Sequence, residues 1–511
     1  MKSNKIAEIL RNEGNSSYKD RNFHDALIKY NESLCHGEID SEHLGLAYAN
    51  RSAICLELKK IDKCLKNIKL ARQHNYPKSS LEVLDTREKK CLELRKKHKG
   101  SDGKKFFRLS YKPNKSIPYV IDGLELRSND KYGRHIVTNK DLHVGDIVAI
   151  EKPFCSILLT QSNFVDVDKS NKFLRCAYCL KSNRFELVPC QECCSVMFCD
   201  SCYQEAFESF HKYECPVMDK LLSSGSVHIA LRIFFIAYSA FKGSIKALQT
   251  FMTEIDKMDK DFSIFDFNIS QSDSIKSYLR YLNTLSRSEN KFSTAQHEET
   301  LENHPELKDI YGSNKDFIKE FLQRQCQTND HYFHGIFGQK VSCNDSRTYQ
   351  DLQQSIGSGW YPFCSLINHS CASNIMRIYI DGKVVLIVSR FIPSGSQLFD
   401  CYKVSFAKHS RAERQSKLLK DFNFKCDCEA CEFNYPMPPH IPIKNTKLIK
   451  LAKKIEDECS QMQNINGKSF HECCKQMDIN HKDFPSLELV WLQKSFAYLL
   501  LLQARFESEN N

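Results

Sequence analysis

The chain places Cys176 and Cys179, Cys190 and Cys193, Cys199 and Cys202, and then His211 and Cys215 inside one short segment. Two thiolates separated by two residues ligate one ion from a tight turn, and His211-x3-Cys215 supplies a fourth half-site. Eight donors complete two tetrahedral shells, so the spacing predicts a structural module for two zinc ions. Cys193 keeps the two-residue spacing and is taken as the ligand; adjacent Cys194 is the alternative. A redox or disulfide role needs only one pair. The 24 cysteines accompany a start, MKSNKIAEILRNEG, that has no apolar signal-peptide core. That combination predicts reduced thiols and a chain working in cytoplasm and nucleus.

A chain of 511 residues exceeds what one core serves, so two to four domains are expected. The longest apolar run, VHIALRIFFIAYSAF from Val227, is too short to cross a bilayer and contains Arg232; it reads as a buried helix. The formal charge of +10 is a weak pointer to nucleic acid at this length. No basic recognition helix accompanies the cysteine module, so direct nucleic-acid binding is not expected.

Residues 1–98 are helical in pattern. Tyr18, Phe23, Ala26, Tyr30 and Leu34 recur at helix-face spacing, and small residues such as Gly14 and Ala47 suit close helix hairpins. These positions resemble tetratricopeptide repeats, which implies a surface for chaperone or other peptides. Gly, Ser and Asp after a basic run mark a linker near 99–104. Strand-like residues fill 105–175, with a turn at Val144-Gly145-Asp146, and helical patterns return over 216–348. Strands resume in 349–405, a cysteine-rich stretch spans 406–435, and 436–511 is helical again.

The cysteine module, with FCDSC and FHKYEC, resembles the MYND finger over 176–215. The resemblance implies that the first and third pairs share one zinc, and the second pair shares the other with His211 and Cys215. Cys199 and Cys202 stand one residue closer than that family usually has them. Such a finger implies proline-rich or co-repressor peptide partners. YPFCSLINHSCASN, carrying Asn368, His369 and Cys371, resembles the NHSC segment of SET-domain methyltransferases, and SGSQLFDCY resembles their segment ending in the reactive-site tyrosine. In FNFKCDCEAC, Cys426, Cys428 and Cys431 offer three thiolates where zinc needs four. The resemblance supplies Cys371 as the fourth. The thirteen cysteines outside these sets read as small packed hydrophobes.

Taken in order, these motifs resemble the SMYD family over roughly residues 1–435, its type 4 branch with N-terminal repeats most of all. The resemblance implies an α+β multidomain fold: a strand-rich SET domain with an inserted finger, flanked by N-terminal repeats and C-terminal helices. It implies S-adenosyl-L-methionine and three zinc ions as cofactors. It makes Tyr402 catalytic and also cofactor-binding, and it places Gly133, Arg134, His135, Asn329, Asn368, His369, Phe422 and Phe424 around the cofactor. The family commonly has G-x-G where this chain has Gly133-Arg134-His135, so the His135 side chain must point away or narrow the site.

The activity so implied is protein-lysine methylation, histone or non-histone, by a monomer acting on a protein with a target lysine. The alternative is a weak or inactive scaffold that recruits partners through repeats and finger.

Overall fold

The structure is a computed structural model that describes residues 1–97, 105–160, 167–258, 262–267, 274–339, 353–461 and 467–510. The expected linker near 99–104 and the boundary at 348/349 lie outside the described residues. Mixed helix and strand follow the α+β pattern expected from the sequence.

Five helices open the chain: α1 (Asn4–Lys19), α2 (Phe23–His36), α3 (Glu42–Glu57), α4 (Ile61–Gln73) and α5 (Leu81–Lys97). Ser3 accepts the Ile6 amide and caps α1. Gly14 lets α1 meet α2, since an added Cβ there would lie 2.6 Å from the Tyr30 ring. The helices bury Ala26, Leu34, Ala47, Ile54 and Ile68 in a shared core.

These helices are seated on the cysteine module by a buried polar row. Arg51, fully buried, donates from Nε to Asn67 Oδ1 at 2.6 Å and from Nη1 to Asn31 Oδ1 and the Leu187 carbonyl, both at 2.9 Å. Asn31 donates to the carbonyls of Phe173 and Arg184, and Asn67 to that of Phe185 at 2.7 Å. Burying such groups is tolerable because most of their donors and acceptors are paired, and the Arg51 guanidinium, whose Nη2 makes no hydrogen bond, lies 5.0 Å from the Tyr48 ring.

The strand-rich region uses β1 (Leu124–Asn129), β2 (Gly133–Thr138), β3 (Ile147–Glu151) and β4 (Cys155–Leu158) before the finger, whose short pair is β5 (Val188–Pro189) and β6 (Met197–Phe198). It resumes with β7 (Phe333–Gln339), β8 (Gln353–Trp360), β9 (Asn368–His369), β10 (Ile375–Ile380), β11 (Lys383–Val388) and β12 (Phe399–Asp400). Strands from before and after the finger share sheets: β10-β11-β3 and β4-β8-β7. Gly145, at φ +94°, makes the turn into β3. The short β9 and β12 pair in parallel, setting Asp400 beside His369.

The apolar run from Val227 forms the buried helix expected of it, α6 (Gly225–Ala240). Its Arg232 makes a two-pronged pair with Glu214 of the finger, both bonds 2.7 Å. Among the described residues no helix is long and apolar enough to cross a membrane. After α7 (Lys315–Tyr332) and α8 (Arg411–Phe422), three helices end the described chain: α9 (Thr446–Ser460), α10 (Gly467–Ile479) and α11 (Leu487–Asn510). They cover the sheet by apolar packing, with Ile455, Leu492 and Phe496 clustered on Ile378, Val385 and Ile387.

Candidate active site and metal centres

Three groups of four donors converge. Cys176, Cys179, Cys199 and Cys202 form one; Cys190, Cys193, His211 and Cys215 the second; Cys371, Cys426, Cys428 and Cys431 the third, each with ligand atoms within 4.8 Å of one another. Zinc with bonds of about 2.3 Å sets tetrahedral sulfurs roughly 3.8 Å apart. The Cys179–Cys199, Cys190–Cys215 and Cys371–Cys431 sulfurs stand 3.8, 3.7 and 3.7 Å apart. Thiol-rich sets of four with this spacing fit zinc. Cys193, not Cys194, belongs to the second group. The close Cys199-x2-Cys202 spacing is accommodated because Cys199 precedes a helix, Asp200–Ala206, that carries Cys202 in its first turn. A π-helical turn, Phe207–His211, delivers His211, whose Nε2 lies 3.7 Å from the Cys193 sulfur. Of the other described cysteines, only Cys194 and Cys401 are more than marginally exposed.

The third group borders a cavity of about 1780 Å3. Gly133, Arg134, Asn368, His369, Tyr402, Phe422 and Phe424 line it, together with Cys426 and Cys428. Seven of the residues expected around a cofactor thus meet across more than 290 positions of sequence. His135 does not line the cavity; its ring is buried, with Nδ1 2.8 Å from the Gly133 carbonyl oxygen. The histidine in the family's glycine position therefore does not narrow the space. Asn329, on α7, does not line it either, and both its amide atoms are buried without a partner.

Local chemistry explains the arrangement. Glu151 at the end of β3 accepts the amides of Phe363 and Cys364 at 2.7 and 2.9 Å, fixing the turn that leads into Asn368. Burial pushes this carboxyl up to about 8, against the pull of those two amides. Asn368 donates to the carbonyls of Tyr132 and Arg134 at 2.9 and 3.3 Å, tying the Gly133 turn to β9. Gly133, at φ +58°, has nothing within 4 Å of where a Cβ would sit, so its backbone faces open space.

The Tyr402 amide donates to His369 Nδ1 at 2.9 Å, which leaves the imidazole proton on Nε2, 3.4 Å from the Cys371 sulfur. The Tyr402 hydroxyl donates to the Ile367 carbonyl at 2.7 Å. Burial, and then Asp400, push its phenol well above the usual range, so it stays protonated. Asn423 ends α8 in the left-handed conformation and turns the chain so that Phe422 and Phe424 both flank the site. Their rings lie 5.1 Å from Tyr402 and 6.1 Å from His369. Two further residues lining the cavity, His334 and Arg377, and Arg377's partner Asp400 were not anticipated. The one available signal was a lone charge in the apolar strand IMRIYI.

A strand-rich domain split by a cysteine-rich insertion, whose halves close on one cavity, defines a SET-type protein. The chain belongs to the SET-domain family, which matches residues 133–403, over half its length. It is 24% identical over 503 residues to the Danio rerio protein-lysine N-methyltransferase SMYD4, covering 84% of this chain and 66% of that protein. The Homo sapiens protein-lysine N-methyltransferase SMYD4 is 24% identical over 542 residues, covering 83% and 66%. A Dictyostelium discoideum SET and MYND domain-containing protein is 22% identical over 395 residues, covering 68% of this chain and 97% of its own length. The SMYD resemblance, with its type 4 leaning, is supported by these relatives. The chain spans about two thirds of the SMYD4 proteins' length.

Proposed function

We propose that this chain is an S-adenosyl-L-methionine-dependent protein-lysine N-methyltransferase. The observation that carries the reading is the meeting of the Gly133 turn, Asn368, His369, Tyr402, Phe422 and Phe424 on one cavity. The open backbone at Gly133 suits close approach of a ligand, and the segment Asn368–His369 is held rigidly against it. The cofactor would supply an electrophilic methyl group on a sulfonium sulfur. The lysine amine must arrive neutral, and the aromatic walls of Phe422 and Phe424 favour that form by shedding water. Tyr402, kept as a phenol and anchored at both its amide and its hydroxyl, would orient the amine.

Three zinc ions would complete the structure, two in the finger and one held by Cys371, Cys426, Cys428 and Cys431. Partner peptides at the finger and repeats and a monomeric state belong to the same reading, as does action in cytoplasm and nucleus, which is supported by thiolates that need a reducing compartment.

The test is calorimetry with S-adenosyl-L-methionine, followed by radiolabel transfer to a lysine-containing peptide library. Binding, and transfer that Tyr402→Phe lowers by roughly 100-fold, are expected. Zinc-replete protein that binds no cofactor sinks the reading.

A further inference from the structure

Resting on that reading, we propose that Arg377 is a positioning residue for Tyr402, acting through Asp400 and the Cys401 carbonyl. β12 is only two residues long, so the sheet ladder ends before Tyr402. The peptide that aims the tyrosine must be held by side chains instead. Arg377, on the neighbouring β10, reaches it with two nitrogens and touches His334 with the third. Nε pairs with Asp400 Oδ2 at 2.9 Å, Nη2 donates to the Cys401 carbonyl at 3.2 Å, and Nη1 meets His334 Nδ1 at 2.7 Å. Asp400 Oδ1 accepts the Cys401 amide at 2.7 Å, so carboxylate and guanidinium grip both sides of the residue before Tyr402.

The residue that follows, Lys403, has φ +72°, a conformation that a side chain adopts reluctantly. The chain therefore bends sharply two residues beyond the carbonyl that Arg377 restrains. The Arg377 side chain is 20% exposed and that of Asp400 4%, so the pair is largely buried, with Arg377 lining the cavity and Asp400 behind it. A buried pair with an added bond to a backbone carbonyl is costly to build, which fits a role in geometry more than in stability. A planar five-donor fork can make these three contacts at once, and an ammonium group cannot.

The experiment uses the full chain with Arg377→Lys, and with Arg377→Met combined with Asp400→Leu so that no buried charge is orphaned. Hydrogen–deuterium exchange of the segment 398–406 is expected to quicken at least tenfold in both variants, with protection elsewhere unchanged. Radiolabel transfer from S-adenosyl-L-methionine is expected to lose roughly 100-fold in kcat, with cofactor Kd within about threefold. Placed on Tyr402→Phe, the same changes are expected to add nothing, because they act through that residue.

Unchanged exchange at 398–406, or losses that multiply with Tyr402→Phe, overturn the proposal. A wild-type chain that binds no S-adenosyl-L-methionine overturns the methyltransferase reading instead, and the exchange result then decides by itself whether Arg377 holds Tyr402.

Discussion

The finger and the third thiolate group use the same ligand chemistry for different ends. None of the finger's eight donors lines the cavity; they sit between the N-terminal helices and α6, tied to one by Arg51 and to the other by Glu214 and Arg232. The third group is part of the cavity wall. Cys426 and Cys428 face it, and Cys371 lies three positions beyond Asn368 and touches His369. A metal in the finger would hold a module on the outside of the site, whereas a metal in the third group would hold the site itself. What a thiolate cluster does is set by what its backbone is continuous with.

Four substitutions probe this contrast. Cys371→Ser should have the largest effect: one zinc equivalent lost by elemental analysis, and S-adenosyl-L-methionine affinity down by roughly 100-fold in calorimetry, because β9 and the Phe424 segment lose their common anchor. Full affinity with one zinc missing would place the cluster outside the site. Cys202→Ser should also lose one zinc and lower Tm by at least about 4 °C, yet leave cofactor affinity within about threefold. A matching loss of affinity would erase the distinction between the two regions.

Arg51→Met removes no metal donor but strips the finger's seat, leaving Asn31, Asn67 and the Leu187 carbonyl short of partners. A destabilisation of about 3 kcal/mol is expected from denaturant midpoints, with quicker zinc release to a chelator. Cys194→Ser should be the mildest: unchanged zinc content, and stability within about 0.5 kcal/mol. Loss of zinc there would reassign the second group's ligand.

The reading of the sequence and the structure part company along lines that chain geometry explains. Pairs such as Cys176 and Cys179 are legible because two-residue spacing confines both thiolates to one turn wherever the segment lies. The buried helix from Val227 is legible for a similar local reason, yet its Arg232 required a partner that only the fold reveals, Glu214. Asn329 shows the opposite case. Its position in the chain suggested a cofactor contact, but helix α7 carries it off the cavity while Asp330 and Tyr332 face in.

By itself the sequence determined the closely spaced cysteine pairs, the Cys426, Cys428 and Cys431 run and the split strand-rich domain, since each is written in short spacings or local patterns; the sharing of ions between pairs, Cys371 as a fourth ligand and the role of Tyr402 came from the family resemblance. Tertiary structure alone decided that His135 turns away from the cavity and that Asn31, Arg51 and Asn67 clasp the finger, while it bore out Cys193, chosen by spacing over Cys194, in the second group. It also decided that His334, Arg377 and Asp400 meet beside the segment that leads into Tyr402. These groups lie on separate strands or helices, and no local period specifies which side chains long-range strand pairing will bring within 3 Å of each other.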